Sequence, residues 1–329
     1  MSSHWQTPVS IPAYPTHLRY GQPVVALGSC FAEYMGRHLA EAKFAPVINP
    51  FGILYNPLSI TRALERMRIG YEYQLTDLFQ YQDLWYSFDH HGRYAAPTAE
   101  RALQHIRTGA QRGRETLTRA NWLLLTLGTA HAWTHTSTNQ IVANCHKQPA
   151  HLFNRHRLSV STIAEALQKE LTAWKQINPN LQVLLTVSPV RYLRDGLVAS
   201  QRSKAALELA TDLLCSDLSF VHYFPAYEII LDELRDYRFY ARDLTHPADI
   251  AVDYVWEKWI HALLAPDDHD LLRRIQEIVT ASRHRPLHPQ TASHQTFLRK
   301  QLKKIAELEG KLPFIDFSPE KKRLYEQKL

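Results

Sequence analysis

The sequence predicts an α/β protein whose mostly parallel β-sheet forms a three-layer α/β/α sandwich. Three observations support this fold class. Short apolar segments typical of buried strands recur along the chain, amphipathic helical patterns alternate with them, and glycine, serine or proline stands where several of these strands end. Strands that alternate with helices favour parallel pairing, because a parallel pair needs a crossover connection between its strands.

The first strand is predicted at residues 23–27 and ends at Gly28, and the next 12 or so residues repeat apolar side chains at helical spacing. Further strands are expected at residues 122–127, 181–187 and 219–224, and further helices at 58–69, 98–118, 159–177 and 200–214. Ser161 or Thr162 is expected to cap the helix at 159–177. Residues 71–94 are rich in aromatic side chains, and their pattern is irregular.

Beyond residue 264 the pattern changes to two charged helices, at residues 271–280 and 295–312. We therefore predict an α/β domain at residues 1–264 and a basic helical annex at 265–329. The annex is interpreted as a cap for the sheet or as the interface of a homodimer. Docking of its basic helices on an acidic partner or a membrane surface is an alternative.

Charge and composition narrow the function class. The net charge is +6, but residues 265–329 hold 13 Lys and Arg against 9 Asp and Glu. The rest of the chain therefore carries little excess, which argues against nucleic-acid binding. The three cysteines are too few for a disulfide framework, and no apolar run has the length of a signal peptide or a membrane span. We expect a cytoplasmic protein.

The segment Gly28-Ser29-Cys30 is the first candidate for chemistry. A turn between a strand and a helix exposes side chains at the edge of the sheet, where the N–H groups of the helix start can stabilise an oxyanion. The helix dipole also favours a thiolate. The alternative is a small apolar cysteine that packs beneath the helix.

A second candidate is the Asp243-Leu244-Thr245-His246 segment, which precedes a predicted helix. A carboxylate three residues before a histidine can orient the ring and leave its other nitrogen as a general base. Alternatively, Asp243 is a helix cap and His246 a surface residue.

Several long motifs resemble the GSCFA family: residues 28–32 (GSCFA), 49–57 (NPFGILYNP), 144–147 (NCHK), 223–228 (YFPAYE), and 234–240 (LRDYRFY) running into Asp243 and His246. The resemblance spans about residues 20 to 260. That family looks like a branch of the SGNH/GDSL hydrolase superfamily. The resemblance implies a flavodoxin-like α/β/α sandwich, and cleavage or transfer of acyl groups, often on polysaccharides.

The resemblance assigns a Cys/Ser-His-Asp triad. The superfamily's first block, Gly-Asp-Ser, aligns without a gap on residues 28–30, so that Cys30 occupies the nucleophile position and is favoured over Ser29. The last block, Asp-x-x-His, aligns with Asp243 and His246. The implied activity is that of an acyl-ester hydrolase or acyltransferase, with an acetyl group and a carbohydrate substrate expected.

One part of the superfamily pattern is missing. The third block, Gly-x-Asn-Asp, aligns with Gly128-Thr129-Ala130-His131, so that Ala130 replaces an oxyanion-binding asparagine. Such a donor is typically worth about 3 kcal/mol of the barrier. Gly52 aligns with the second-block glycine and is expected to donate its N–H. Asn144 or Asn49 is expected to replace the missing side chain, and Gly128 and His146 complete the candidate substrate-binding set.

The remaining predictions concern ligands. Lys147, Arg191, Arg238 and Arg242 are candidate anchors for an anionic acyl carrier or sugar carboxylate, or are solvated surface charges. No cofactor or metal is predicted, although acyl-CoA is a candidate acyl donor for a transferase. The alternative function is a catalytically inactive SGNH-type domain that binds a glycan or a protein, for which the missing asparagine at Ala130 is the main support.

Overall fold

A computed structural model describes residues 6–328 of the chain. These residues form two compact units, and neither is continuous in sequence. Unit 1 contains residues 6–15, 23–36 and 46–262, and unit 2 contains residues 16–22, 37–45 and 263–328. Across the described residues, no helix is both long enough and apolar enough to cross a membrane.

The strands and helices are labelled in chain order. The strands are β1 (Val24–Gly28), β2 (Val47–Ile48), β3 (Phe79–Tyr81), β4 (Leu84–Tyr86), β5 (Trp122–Leu127), β6 (His131–His135), β7 (Ile141–Val142), β8 (Phe153–Arg157), β9 (Gln182–Val187) and β10 (Val221–Tyr223). The helices are α1 (Cys30–Glu41), α2 (Pro57–Ile69), α3 (Ala99–Leu117), α4 (Val160–Ile177), α5 (Gly196–Asp217), α6 (Ala226–Glu228), α7 (Asp249–Leu263), α8 (His269–Arg283), α9 (Ala292–Lys311) and α10 (Ser318–Tyr325).

The central sheet of unit 1 has five strands in the order β2-β1-β5-β9-β10, and every neighbouring pair is parallel. This is the 2-1-3-4-5 order of flavodoxin-like sheets. The prediction of an α/β protein with a parallel sheet is therefore confirmed. Because all five strands run in one direction, the loops after β1, β5 and β9 leave the sheet at the same edge.

Helices cover both faces of the sheet. Alternate strand residues such as Val25, Leu123 and Val183 belong to a core that includes buried side chains of α2, α3, α4 and α5. On the opposite face, Ala26, Leu124 and Leu184 lie near Phe31 and Met35 of α1 and Trp259 of α7. The strands are buried on both faces, as the apolar run at 122–127 predicts.

Local capping fixes the helix ends near the sheet. Asn56 accepts the N–H of Ser59 through its side chain, and Pro57, the first residue of α2, has no N–H that would need an acceptor. For α4 the expected cap was wrong. Ser159 is the N-cap, and its Oγ accepts the N–H of Thr162 at 3.0 Å. Ser161 and Thr162 lie inside the first turn.

Other elements differ from the sequence prediction. Strand β2 was not predicted, and residues 71–94 contain the hairpin β3–β4 where an irregular segment was expected. A small antiparallel sheet of β7, β6 and β8 follows β5 and was also not predicted. Helix α5 begins at Gly196, four residues before the predicted start at Ser200.

Unit 2 has its own hydrophobic core, built from α8, α9, α10 and the two N-terminal segments. Buried residues such as Ile278, Leu298 and Leu324 form this core, and Tyr20 packs against it. An ion pair joins Lys43 to Glu320 at 2.5 Å, with both side chains buried. The helices predicted at 271–280 and 295–312 correspond to α8 and α9, whereas the contribution of residues 16–22 and 37–45 was not predicted.

We expect Gly28→Ala to destabilise unit 1 by about 3 kcal/mol or more. Gly28 has φ of +137°, and a Cβ at this position would lie 2.2 Å from the carbonyl oxygen of Thr126. Gly196→Ala is the matched control, because Gly196 has φ of +83° and no heavy atom within 4 Å of the added Cβ. The control should lose only about 1 kcal/mol. Urea unfolding followed by tryptophan fluorescence measures both, and equal losses would contradict the close contact at Gly28.

Candidate functional site

A cavity of about 560 Å³ in unit 1 lies at the edge of the sheet where β1, β5 and β9 end. We call it the cysteine cavity, because Cys30 lines it. The other residues that line it are Tyr55, Asn56, Thr129, His131, Trp133, Ala143, Asn144, Cys145, Lys147, Gln148, Ala150, Phe153, Val190, Arg191, Tyr192, Arg194, Thr245 and His246. A larger and more open groove of about 1160 Å³, lined by unit 2 residues, contains no cysteine.

Cys30 is the first residue of α1 and directly follows the turn after β1. Its side chain is half-buried and lines the cavity. Burial raises the pKa of the Cys30 thiol, while the N–H groups of Cys30 and Phe31 and the charge of Lys204 oppose this rise. The two N–H groups and Lys204 favour the thiolate, but burial outweighs them and favours the thiol.

Ser29 is placed differently from Cys30. Its side chain is only 1% exposed, and its Oγ accepts the N–H of Phe31 at 3.3 Å. Ser29 does not line the cysteine cavity. Of the two predicted nucleophiles, the structure therefore brings only Cys30 to the cavity surface.

The loop from Asn49 to Asn56 is bonded to the ends of β1 and β5. Asn49 Oδ1 accepts the N–H of Gly28 at 2.9 Å, and the N–H of Leu54 donates to the carbonyl of Gly28 at 2.8 Å. The carbonyl of Tyr55 accepts the N–H groups of Gly128 and Thr129, both at 2.9 Å. These bonds hold Tyr55 at the cavity beside Cys30, where burial and the nearby Cys30 thiol raise the pKa of the phenol.

Three of the predicted oxyanion or substrate residues, Gly52, Asn49 and Gly128, do not line the cavity. The Gly52 N–H donates to the carbonyl of Asn49 at 2.7 Å, and neither Gly52 nor Asn49 lines the cavity. The Asn49 Nδ2 atom is buried without a hydrogen-bond partner among the described residues. Gly128 is also buried behind the cavity wall, and its carbonyl accepts the ammonium of Lys204. The geometry therefore does not direct Gly52, Asn49 or Gly128 at the cavity.

Asp243 and His246 form the pair that the sequence predicts. The His246 Nδ1 atom lies 2.7 Å from Asp243 Oδ2, and Asp243 Oδ1 accepts the N–H groups of Thr245 and His246 at 2.9 and 3.0 Å. The N–H and ring of His246, with the N–H of Thr245, lower the pKa of Asp243 to about 2. Leu244 adopts φ of +55° to close this tight turn. With Nδ1–H donated to the carboxylate, Nε2 is left as a proton acceptor.

Within residues 144–147, Asn144 and its neighbours line the cavity, whereas His146 is buried. Asn144 lines the cavity, and its Oδ1 accepts the N–H of His146 at 2.8 Å, so that its Nδ2 is the donor left for a ligand. His146 is buried instead, with Nε2 2.9 Å from the carbonyl of Ser87 and its ring 4.6 Å from that of Tyr86. Burial lowers the pKa of His146 to about 4. His146 therefore has a packing role, and of this pair only Asn144 lines the cavity.

Two candidate anchors reach the cavity and two do not. Lys147 and Arg191 line it, whereas Arg238 pairs with Asp236 at 3.0 Å, and Arg242 is an exposed residue outside the lining. Arg194, which the sequence analysis did not single out, also lines the cavity. Among residues 6–328, no group of three His, Cys, Asp or Glu side chains is arranged to hold a metal ion.

Lys204 is the residue of most interest that sequence reasoning missed. It lies on α5, is only 2% exposed, and donates its ammonium to the carbonyl of Gly128 at 2.8 Å and to that of Ser188. These carbonyls stand just after β5 and β9. Burial lowers the pKa of Lys204 to about 7, and the thiol of Cys30 opposes this shift.

Asn56 is a second missed residue. It lines the cavity while its side chain caps α2. Its Nδ2 donates one hydrogen to Ser59 Oγ at 2.9 Å, which leaves the other hydrogen of the amide. The Asn-Pro pair at 56–57 signals a helix start, and this signal was available in the sequence.

The fold and the cavity together define an α/β protein of flavodoxin-like strand order with a half-buried cysteine and an Asp-His pair at one cavity. Residues 23–259 match the model of the GSCFA family, and residues 275–328 match the model of the GSCFA domain protein, C-terminal domain. The chain therefore belongs to the GSCFA family. No curated protein matches it.

Proposed function

We propose that this chain is an acyl-ester hydrolase or acyltransferase of the SGNH type, in which Cys30 is the nucleophile, His246 transfers protons and Asp243 orients His246. One observation carries the proposal: Cys30 and His246 line the same cavity, and His246 is held by a carboxylate on the ring nitrogen away from its base position. The 2-1-3-4-5 strand order and the position of Cys30 directly after β1 support the SGNH type.

The proposed reaction has two steps. His246 accepts the Cys30 proton at Nε2 as the sulfur attacks the acyl carbon, the bond from that carbon to the leaving oxygen or sulfur breaks, and His246 gives the proton to the leaving group. The product is a thioester on Cys30. In the second step, water or an acceptor hydroxyl gives a proton to His246 and attacks the thioester, the carbon–sulfur bond breaks to release a carboxylic acid or a new ester, and His246 returns the proton to the Cys30 sulfur.

The oxyanion of each step needs donors at the start of α1. The N–H of Cys30 already acts on the thiol, and Asn144 Nδ2 is the side-chain donor left open to the cavity. The N–H of Phe31 is shared with Ser29 Oγ. Asn56 offers a further amide hydrogen. These groups replace the donor that Ala130 lacks. An acetyl ester of a carbohydrate is the substrate that the family resemblance favours.

A second candidate function is an inactive domain that binds a glycan or a protein. Ala130 is fully buried, its N–H donates to Ser203 Oγ at 2.8 Å, and it supplies no side-chain donor. Together with the internal bond of the Gly52 N–H, this leaves two superfamily donors without an equivalent. The two functions differ in whether an acyl group is ever attached to Cys30.

We expect 4-nitrophenyl acetate to acetylate Cys30, and Asp243→Asn to slow this acylation by about 10²-fold because His246 loses its orienting carboxylate. The measurement is acid quench, digestion and mass spectrometry of the peptide that contains Cys30. Asp236→Asn is the matched control, because Asp236 is an exposed carboxylate in a similar turn that accepts the N–H of Arg238 at 2.8 Å. An adduct absent from Cys30 under all conditions would favour the binding domain.

A further inference from the structure

The charged side chains that line the cysteine cavity all have the same sign. They are Lys147, Arg191 and Arg194, and within the part of the chain that the structure describes no aspartate or glutamate is among the lining residues. Burial lowers the pKa of His131, the second histidine of the lining, which favours its neutral form. The fixed charge of the cavity wall is therefore positive.

Nearby carboxylates do not neutralise these three cations. Asp195 pairs with Arg155, which is not one of the residues that line the cavity, and Asp243 is hydrogen-bonded to His246. Glu33 pairs with Arg93. Over residues 6–328, Lys147, Arg191 and Arg194 form no salt bridge. Their positive charge is therefore available to a ligand. Because the cavity is partly enclosed, water and salt screen this charge less than on an open surface.

Aromatic rings hold the two guanidinium groups in place. Arg191 lies 4.1 Å from the ring centre of Tyr240, and Arg194 lies 4.9 Å from that of Trp133. The N–H of Arg191 also donates to the carbonyl of Thr245 at 3.0 Å, next to His246. A guanidinium that stacks on an aromatic ring keeps its N–H edge free for planar oxyanions, which favours carboxylate and phosphate groups.

We infer that the cysteine cavity selects acyl esters or thioesters that carry a carboxylate or phosphate group. The anion is held by Arg191, Arg194 and Lys147 while the acyl carbon lies at Cys30. This substrate class rests on the proposed function, but the charge selection can be measured without any acyl transfer.

The first experiment compares alkylation by iodoacetate, an anion, with alkylation by neutral iodoacetamide, and both rates are measured at individual cysteines by peptide mass spectrometry. The ratio of iodoacetate to iodoacetamide rates should be higher at Cys30 than at Cys215, a half-buried thiol on α5 outside the cavity. In Arg191→Gln/Arg194→Gln the ratio at Cys30 should fall by about tenfold, because the attraction for the anion is lost. Arg202→Gln removes an exposed arginine outside the lining and should leave the ratio unchanged.

The second experiment measures turnover of 4-nitrophenyl acetate and of its 3-carboxylate analogue, which carries one additional ring carboxylate, in the native chain and in the double variant. The double variant should lose about tenfold in kcat/KM for the anionic ester and little for the neutral one. Protection of Cys30 from iodoacetamide by pyrophosphate or by galacturonate then distinguishes a phosphate from a carboxylate as the natural anion.

The outcomes separate the two proposals. A Cys30 alkylation ratio equal to that of Cys215, or unchanged in the double variant, would overturn the anionic substrate class even if the neutral ester acetylates Cys30. The expected alkylation ratios without an acyl adduct from either ester would support the anion site and overturn the acyl function. Failure of both anions to protect Cys30 would also count against the anionic substrate.

Discussion

Replacing Cys30 by alanine should abolish the acyl-enzyme and lower ester turnover by about 10³-fold or more, because the proposed nucleophile and the site of the covalent intermediate are lost. Cys30→Ser should also be severely impaired, since a hydroxyl is a much weaker acid and a poorer nucleophile than a thiol and depends more on a closely placed base. Turnover of 4-nitrophenyl acetate and the mass of the Cys30 peptide measure both effects.

Ser29→Ala is the matched control for the Cys30 variants. Ser29 is buried and bonded to the N–H of Phe31, so we expect at most a few-fold change in turnover from the loss of one hydrogen bond. Loss of the adduct in Ser29→Ala, with the adduct retained in Cys30→Ala, would reverse the assignment of the nucleophile. Urea unfolding of each variant shows whether lost activity reflects lost folding.

Lys204→Met should raise the pKa of the Cys30 thiol further, because the positive charge that favours the thiolate is lost. In the native chain burial raises this pKa and the charge of Lys204 opposes the rise, so removing the ammonium removes an opposing effect. The measurement is the pH dependence of Cys30 alkylation by iodoacetamide. A role of Lys204 confined to packing would change the free energy of unfolding without moving this profile.

Lys175→Met is the control for the Lys204 variant. Lys175 also donates to a backbone carbonyl, that of Leu181 at 2.8 Å, and lies over the ring of Phe220, but it does not contribute to the pKa of Cys30. We expect an unchanged alkylation profile in this control. Equal shifts in the two variants would show that Lys204 does not act on the thiol specifically.

Lys204 also gives the free energy of unfolding a pH dependence. Burial lowers the pKa of Lys204 to about 7 in the folded chain, whereas the ordinary pKa of a lysine in an unfolded chain is 10.5. The unfolded state binds more protons in this window, so stability should rise as pH increases from about 7 to about 10. Lys204→Met should lack this rise. It should also lose stability at every pH, because the carbonyls of Gly128 and Ser188 lose a buried donor, at about 1–3 kcal/mol each.

The parallel sheet was predictable because each long strand is a continuous apolar run followed by a helical pattern. Strand β2 was not, because it has only two residues, and its pairing with Val25 and Ala26 of β1 is a tertiary contact with no local pattern. The sheet of β6, β7 and β8 was missed for a similar reason. Its strands mix histidine, arginine and asparagine with apolar residues. Most of their side chains are partly or fully exposed, so buried and exposed positions do not alternate clearly.

In the candidate site, the residues of short contiguous motifs were predictable, whereas those brought together by the fold were not. Asp243 and His246 are three residues apart, and their spacing fixes the hydrogen bond between them. Gly52 was assigned by alignment alone, and the structure shows that its N–H is used within its own turn. In the sequence, Lys204 looks like an ordinary polar residue of α5. The residues whose carbonyls it contacts, Gly128 and Ser188, lie 76 and 16 positions away along the chain.

The discontinuous composition of unit 2 has a consequence for how the chain folds during synthesis. Lys43 and Glu320 are separated by 277 positions, and the N–H of Tyr20 is bonded to the carboxylate of Asp268 over 248 positions. Residues 16–22 and 37–45 must therefore remain without their native partners in residues 263–328 until the ribosome has made α8 to α10. Such long-range closure is entropically slow, and at about 5–20 residues per second the wait lasts on the order of ten seconds or more. The apolar side chains of these two segments, Leu18 and Phe44 among them, are where a chaperone would be expected to bind the nascent chain.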